Sequence, residues 1–221
     1  MDSFVFNSKA YKTSRCTEAD ARLPHVRRML SPAGLRVLDL GCLDGTIGSV
    51  LTADGHRVSG VDASKPAIEK AIARGLDARI GNLEEPLPFE SESFDAVFAG
   101  EIVEHIFKVE VMLDEMRRVL KPGGFAVITT PNLAALGRRL LLLFNRNPLV
   151  EIDFSKPEAA GHIRYFIWST LERLLEEHGF KVVERTSDLV NFNASGSVSS
   201  RWLARCFPSI GRSLIVKAVR V

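Results

Sequence analysis

The sequence predicts an α/β protein built on a largely parallel sheet, and two stretches carry that expectation. Residues 36–62 read as strand, glycine turn, helix and strand, and residues 111–132 read as helix, turn and strand. In RVLDLGCLDGTIGSVLTADGHRVSGVD, Val37, Leu38 and Leu40 form the apolar run that a strand covered on both faces requires. Gly41 and Gly45 bracket a turn where the backbone must come close to something, and a turn feeding a helix leaves free N–H groups that suit an anion or carboxylate. Val58, Gly60 and Val61 give the second strand. Asp62 stands at its tip, about 20 residues past the turn, where an acid can accept from ligand hydroxyls.

Farther along, Phe94, Ala96, Val97 and Phe98 form a further strand with Asp95 at its start. Its C-terminal end delivers Gly100, Glu101 and a helix carrying Glu104 and His105, and ligands of open parallel sheets bind beyond such ends. Val111, Leu113, Met116, Val119 and Leu120 recur at helical spacing. Lys121-Pro122-Gly123-Gly124 ends that helix, and Phe125 to Thr130 read as a buried strand. Ser169 is a suitable N-cap for a helix running to about His178, Gly179 ends it, Phe180 to Val183 begin a strand, and Ser213 to Val219 close the chain as another.

The glycine turn is not the dinucleotide fingerprint, because Leu43 and Thr46 occupy positions where G-x-G-x-x-G needs glycine. NAD and FAD are therefore disfavoured. The turn resembles the D-x-G-x-G-x-G motif of class I S-adenosylmethionine-dependent methyltransferases: Asp39, Gly41 and Gly45 match, and Leu43 replaces the middle glycine. GNLEEPLPFESESFDAVFAGEIVEHI (81–106) and VMLDEMRRVLKPGGFAVITTPN (111–132) continue the likeness in the family's order. GHIRYF (161–166) is similar to an H-x-R-x-F segment of small-molecule and glycan-pathway members.

The resemblance implies one Rossmann-like domain over residues 1–221, a three-layer sandwich whose seven-stranded, mostly parallel sheet has an antiparallel last strand. It implies S-adenosylmethionine as methyl donor, leaving S-adenosylhomocysteine. Donor contacts are expected from Asp39, Gly41, Cys42, Gly45, Asp62, Ala63, Leu83 and Gly100, with Asn82 where relatives carry an adenine-binding acid. An amide oxygen can accept from an amino group as a carboxylate does, without its charge. His105 is the first candidate base and His162 the second, each set against a plain buried or capping histidine. Glu101 and Arg164 are the expected acceptor contacts, with exposed helix charge the alternative for Glu101, and for His162 and Arg164 pinning of their loop to backbone carbonyls or to Glu101 or Glu104; no metal-ligand set is expected.

A formal net charge of +2 does not point to nucleic acid, and GEIVEH (100–105) is not an N-P-P-Y-like base-specific motif. The N-terminal excess of Lys9, Lys12, Arg15, Arg22, Arg27 and Arg28 reads as a solvated basic face. Three cysteines without a C-x-x-C pair argue for a reducing compartment, against a disulfide framework and against a zinc site. With no signal-like start and no apolar run of about 20 residues, a cytoplasmic location is expected. Residues 1–30 read as a helical N-terminal cap and 133–166 as a substrate-cap insertion. Within the latter, Leu140 to Phe144 between Arg138, Arg139 and Arg146 suit either an interfacial helix on anionic lipid or a packed helix with basic ends. The expected acceptor is an O or N atom of a small-molecule, lipid-linked or glycan compound. The alternative is a noncatalytic donor-binding scaffold, suggested by Leu43 and Asn82.

Overall fold

The computed structural model describes residues 19–149, 161–192 and 198–221. Most of the expected N-terminal cap, and the part of the expected insertion at 150–160, lie outside them. In chain order the elements are α1 (Leu23–Met29), β1 (Arg36–Leu40), α2 (Thr46–Ala53), β2 (Arg57–Asp62), α3 (Lys65–Ala73), β3 (Asp77–Ile80), β4 (Phe94–Gly100), α4 (Val109–Val119) and β5 (Leu120–Pro131). Then come α5 (Leu136–Leu143), α6 (Trp168–Glu177), β6 (Phe180–Thr186), β7 (Val190–Asn191), β8 (Ser199–Ser200), α7 (Arg201–Cys206) and β9 (Ser213–Arg220).

Seven strands form one sheet in the order β3-β2-β1-β4-β5-β9-β6. All neighbours are parallel except β9, which inserts antiparallel between β5 and β6. The sheet is apolar on both faces because its strands alternate sides. In β1, Val37 joins a core with α1, α2 and α3, whereas Leu38 and Leu40 join the opposite core with α4 and α6. Helix α4 buries Val109, Met112, Leu113, Met116 and Val119, the stripe its spacing predicts. Strand order reverses between β1 and β4, so connections leave in opposite directions and a crevice opens at the strands' C-terminal ends.

Three local expectations are corrected. The KPGG stretch does not stand apart as a turn: β5 starts at Leu120, paired with Phe94, and a register shift between Phe94 and Ala96 absorbs the kink. Ser169 lies inside the first turn of α6, whose cap position is Ile167, because the Thr170 hydroxyl accepts from the Ile167 N–H at 3.1 Å. Glu104 and His105 sit on a single 3-10 turn, Val103–His105, rather than on a helix. Among the described residues no helix is long and apolar enough to cross a membrane.

Candidate active site

The turn after β1 places positive φ at every second residue: Gly41 at 73°, Leu43 at 48° and Gly45 at 77°. That periodicity is the physical reason for glycine at alternate positions of such a motif, since an L side chain resists the left-handed region. Leu43 adopts the conformation anyway, and its N–H donates to Asp62 Oδ2 at 3.0 Å. Asp62, buried at the tip of β2, also accepts from the Ser64 N–H at 2.8 Å, and the Ala63 backbone contributes a further bond. Burial raises the Asp62 carboxyl above its ordinary range against those backbone donors.

Asp39, one strand away, is buried with Oδ2 lacking a partner among the described residues. Desolvation first, then the charge of Asp62, pushes its carboxyl up to about 7. A buried acid with an open oxygen beside a glycine turn fits the amino group of S-adenosylmethionine. Asp62 keeps lone pairs for a ribose hydroxyl beyond those its backbone donors use. Asp39, Gly41, Cys42, Leu43 and Gly100 line a cavity of about 60 Å³ here, roofed by Leu23 and Val26 of α1. Gly45, Asp62, Ala63, Asn82 and Leu83 lie outside this lining; Asp62 reaches it only through the Leu43 N–H that it accepts. Asn82 accepts the Glu84 N–H at 3.0 Å and donates to Glu85 at 2.9 Å, so its amide serves its own loop; Leu83 behind it is buried.

Beside this cavity lies a cleft of about 600 Å³, lined in part by Arg22, Glu101, Arg138, Leu141, His162 and Asn191. Asp20, Arg22 and Glu101 border both spaces. The Arg22 guanidinium pairs with Glu101 at 2.5 Å and with Asp20, which corrects its reading as a solvated basic residue. Glu101 has φ 53°, and it accepts from the Thr129 hydroxyl at 3.0 Å.

Glu104 is almost wholly buried, accepts from the Thr130 hydroxyl at 2.9 Å, and leaves Oε1 without a hydrogen bond among the described residues. Burial, then the charge of Glu101, holds its carboxyl well above the ordinary range. His162 Nε2 lies 3.9 Å from that Oε1. Two backbone bonds, Ile163 N and Arg164 N to the Glu104 carbonyl at 3.0 and 3.2 Å, fix the His162 segment against the 3-10 turn. His105 packs its ring 4.8 Å from that of His162 but does not line the cleft. Burial, then His162, lowers the His105 pKa to about 4, so it is neutral at pH 7. Arg164 donates to the Phe107 carbonyl at 2.7 Å, away from the cleft lining.

The donor atoms of Glu104, His105 and His162 all lie within 4.8 Å of one another. One carboxylate and two imidazoles suit a first-row divalent cation, a set the sequence reading did not assemble because His162 is remote in the chain. It also missed Asp20, Arg22, Arg138, Asn191 and Arg212 as cleft residues; only the D-x-R spacing of Asp20 and Arg22 offered a local signal.

A family model described as a methyltransferase domain matches residues 15–185. The human mitochondrial ubiquinone biosynthesis O-methyltransferase is 33% identical over 159 residues, covering 67% of this chain and 42% of that protein. The ubiquinone biosynthesis O-methyltransferase of Xylella fastidiosa strain M23 is 32% identical over 65% of each chain. The chain thus spans less than half the length of the human relative and about two thirds of the bacterial one. Among solved structures, a Thermotoga maritima S-adenosylmethionine-dependent methyltransferase, described as a possible histamine N-methyltransferase, superposes with a TM-score of 0.67. Its identity is 20%, over 91% of this chain and 88% of that one. With the glycine turn, the strand-tip acid and the strand order all in place, this chain belongs to the methyltransferase domain family.

Proposed function

We propose that this chain transfers a methyl group from S-adenosylmethionine to an oxygen of a small acceptor seated in the 600 Å³ cleft. The observation that carries this reading is the shared wall: Asp20, Arg22 and Glu101 border both the donor cavity and the cleft, so two ligands would meet there. Oxygen is favoured by the names of the ubiquinone-pathway relatives. A cleft of this volume suits a small molecule, or the head of a lipid-linked or glycan compound, rather than nucleic acid. The free thiols of Cys42 and Cys206 fit a reducing, cytoplasmic setting.

The donor supplies an already activated methyl group, so the chain's own tasks are alignment, exclusion of water and removal of the acceptor's proton. Asp39, Asp62 and the Gly41–Gly45 turn would hold the donor. Glu101, fixed by Arg22 and Thr129, would orient the acceptor hydroxyl. His162, in the cleft lining and backed by Glu104, would take the proton; His105 stands behind it as a packing partner. Arg164 and Asn82 would act by bracing loops.

The close approach of Glu104, His105 and His162 favours a second reading, in which a divalent cation held there acidifies the acceptor hydroxyl. Assay of methyl transfer to a panel of catechols and phenols, with and without chelator, tests both. Turnover insensitive to chelator but lost in His162→Ala supports the base. Loss of turnover on chelation, restored by added cation, supports the metal. Donor binding without turnover on any acceptor would instead favour the scaffold alternative.

A further inference from the structure

Just over half of the large apolar side chains exposed among the described residues gather around one pair of short strands. Of the thirteen large hydrophobic side chains exposed among the described residues, seven lie on or beside α5, the β7–β8 hairpin and α7. Helix α5 carries five leucines in eight residues and buries none of its side chains. Leu143 is 75% exposed, and Phe144 directly after the helix is 71% exposed. On α7, Trp202 is 69% exposed, and Phe207 follows it at the surface. Both helices pack against β7, so the two apolar edges flank the same hairpin. Solitary exposed leucines are ordinary; a cluster of this size marks an interaction surface.

Charge says what the surface meets. The described stretches 133–149 and 198–212 contain six arginines and no acid; of the six, Arg138 and Arg212 line the cleft, Arg212 paired with Asp188, leaving four for this face. Arg139, Arg146, Arg201 and Arg205 are exposed among the apolar side chains. Apolar side chains interleaved with arginine, with a tryptophan among them, have the chemistry of a helix lying at a lipid–water interface and drawn there by anionic headgroups. The place in the fold agrees. Gly137, Arg138 and Leu141 of α5 and Asn191 of β7 line the acceptor cleft, so the opposite, exposed side of the same helix stands at the cleft's rim.

We infer that α5 and α7 together form a docking face for an anionic membrane, holding the mouth of the cleft at the bilayer surface. Neither helix is long enough to enter deeply, so the contact is peripheral and reversible. Its arginines make it depend on salt, and its leucines and aromatics on the apolar layer.

The test is co-sedimentation of the full chain with vesicles of phosphatidylcholine alone or mixed with phosphatidylglycerol, which needs neither donor nor turnover and so stands apart from the proposed activity. Binding to the mixed vesicles, weak binding to the neutral ones and release by salt are expected. Leu143→Glu with Phe144→Glu, and separately Trp202→Glu, should each weaken partition by at least about tenfold. Ile80→Glu, also exposed but on edge strand β3, should not change it. Circular dichroism of each variant guards against misfolding. Wild-type protein left in the supernatant overturns the inference, as does equal binding by the α5 and α7 variants. A dimer in sedimentation velocity that the α5 variant dissolves, without vesicle binding, would assign the face to a second copy and also overturn it.

Discussion

The donor half and the acceptor half of the proposed site are built differently. The donor half is local: Asp39, the Gly41–Gly45 turn, Asp62 and Ser64 all fall within 26 residues, joined largely by backbone bonds to one carboxylate. The acceptor half is assembled from Asp20, Arg22, Glu101, Arg138, His162, Asn191 and Arg212, and side chains make most of its contacts. A backbone cradle tolerates changes of side chain, which is how Leu43 can stand in a glycine's conformation. A side-chain cleft does not, so it is where relatives of one fold acquire different acceptors.

If that contrast holds, changes in the two halves separate. The largest effect is expected from His162→Ala, which should lower kcat by roughly 10²–10⁴-fold while leaving donor affinity as it was. Equal loss of donor binding, read by calorimetry, would mean that the halves are not separable.

Next comes pH. Burial and the charge of Asp62 raise the Asp39 carboxyl from 3.8 to about 7, so between those values the folded chain holds a proton that the unfolded chain has released. Asp39 therefore takes stability away as pH rises through that window. Urea midpoints should fall from pH 4 to pH 7 less steeply in Asp39→Asn than in the wild type. Parallel curves would show that Asp39 is not the group responsible. An ammonium bound beside Asp39 favours its charged form, so donor binding near pH 7 should release protons, seen as a buffer-dependent heat.

Smaller effects test the turn. Gly45→Ala adds a Cβ at φ 77°, with the Ala71 backbone 3.0 Å away, and should cost about 1–2 kcal/mol in thermal unfolding. Leu43→Gly should be worth less than about 1 kcal/mol, because released strain is offset by a more flexible unfolded chain. A larger penalty for Leu43→Gly than for Gly45→Ala would mean that the leucine side chain, not the backbone, organises the turn.

The same contrast explains what could be read from the sequence. The individual strands, the glycine turn and the acid at the tip of β2 were legible because apolar periodicity and glycine placement are local signals, whereas the antiparallel last strand was implied by the family resemblance. The pairing of Arg22 with Glu101, the placing of His162 ahead of His105 at the cleft, and the Glu104–His105–His162 cluster were not, since each depends on segments remote in sequence. Asn82 shows the reverse limit: its position matched a motif, but its amide is taken by Glu84 and Glu85 a few residues on, a competition that only geometry reveals.

The central claim is that Asp62 and the turn it holds form the donor site. It is tested most directly by titrating S-adenosylmethionine and S-adenosylhomocysteine into the wild type and Asp62→Ala, with circular dichroism to confirm that the variant folds. Wild-type binding that weakens by about 100-fold in the variant is predicted, since the substitution removes a charged acceptor and the anchor of Leu43 and Ser64. No binding by the wild type, or equal binding by a folded variant, would contradict it.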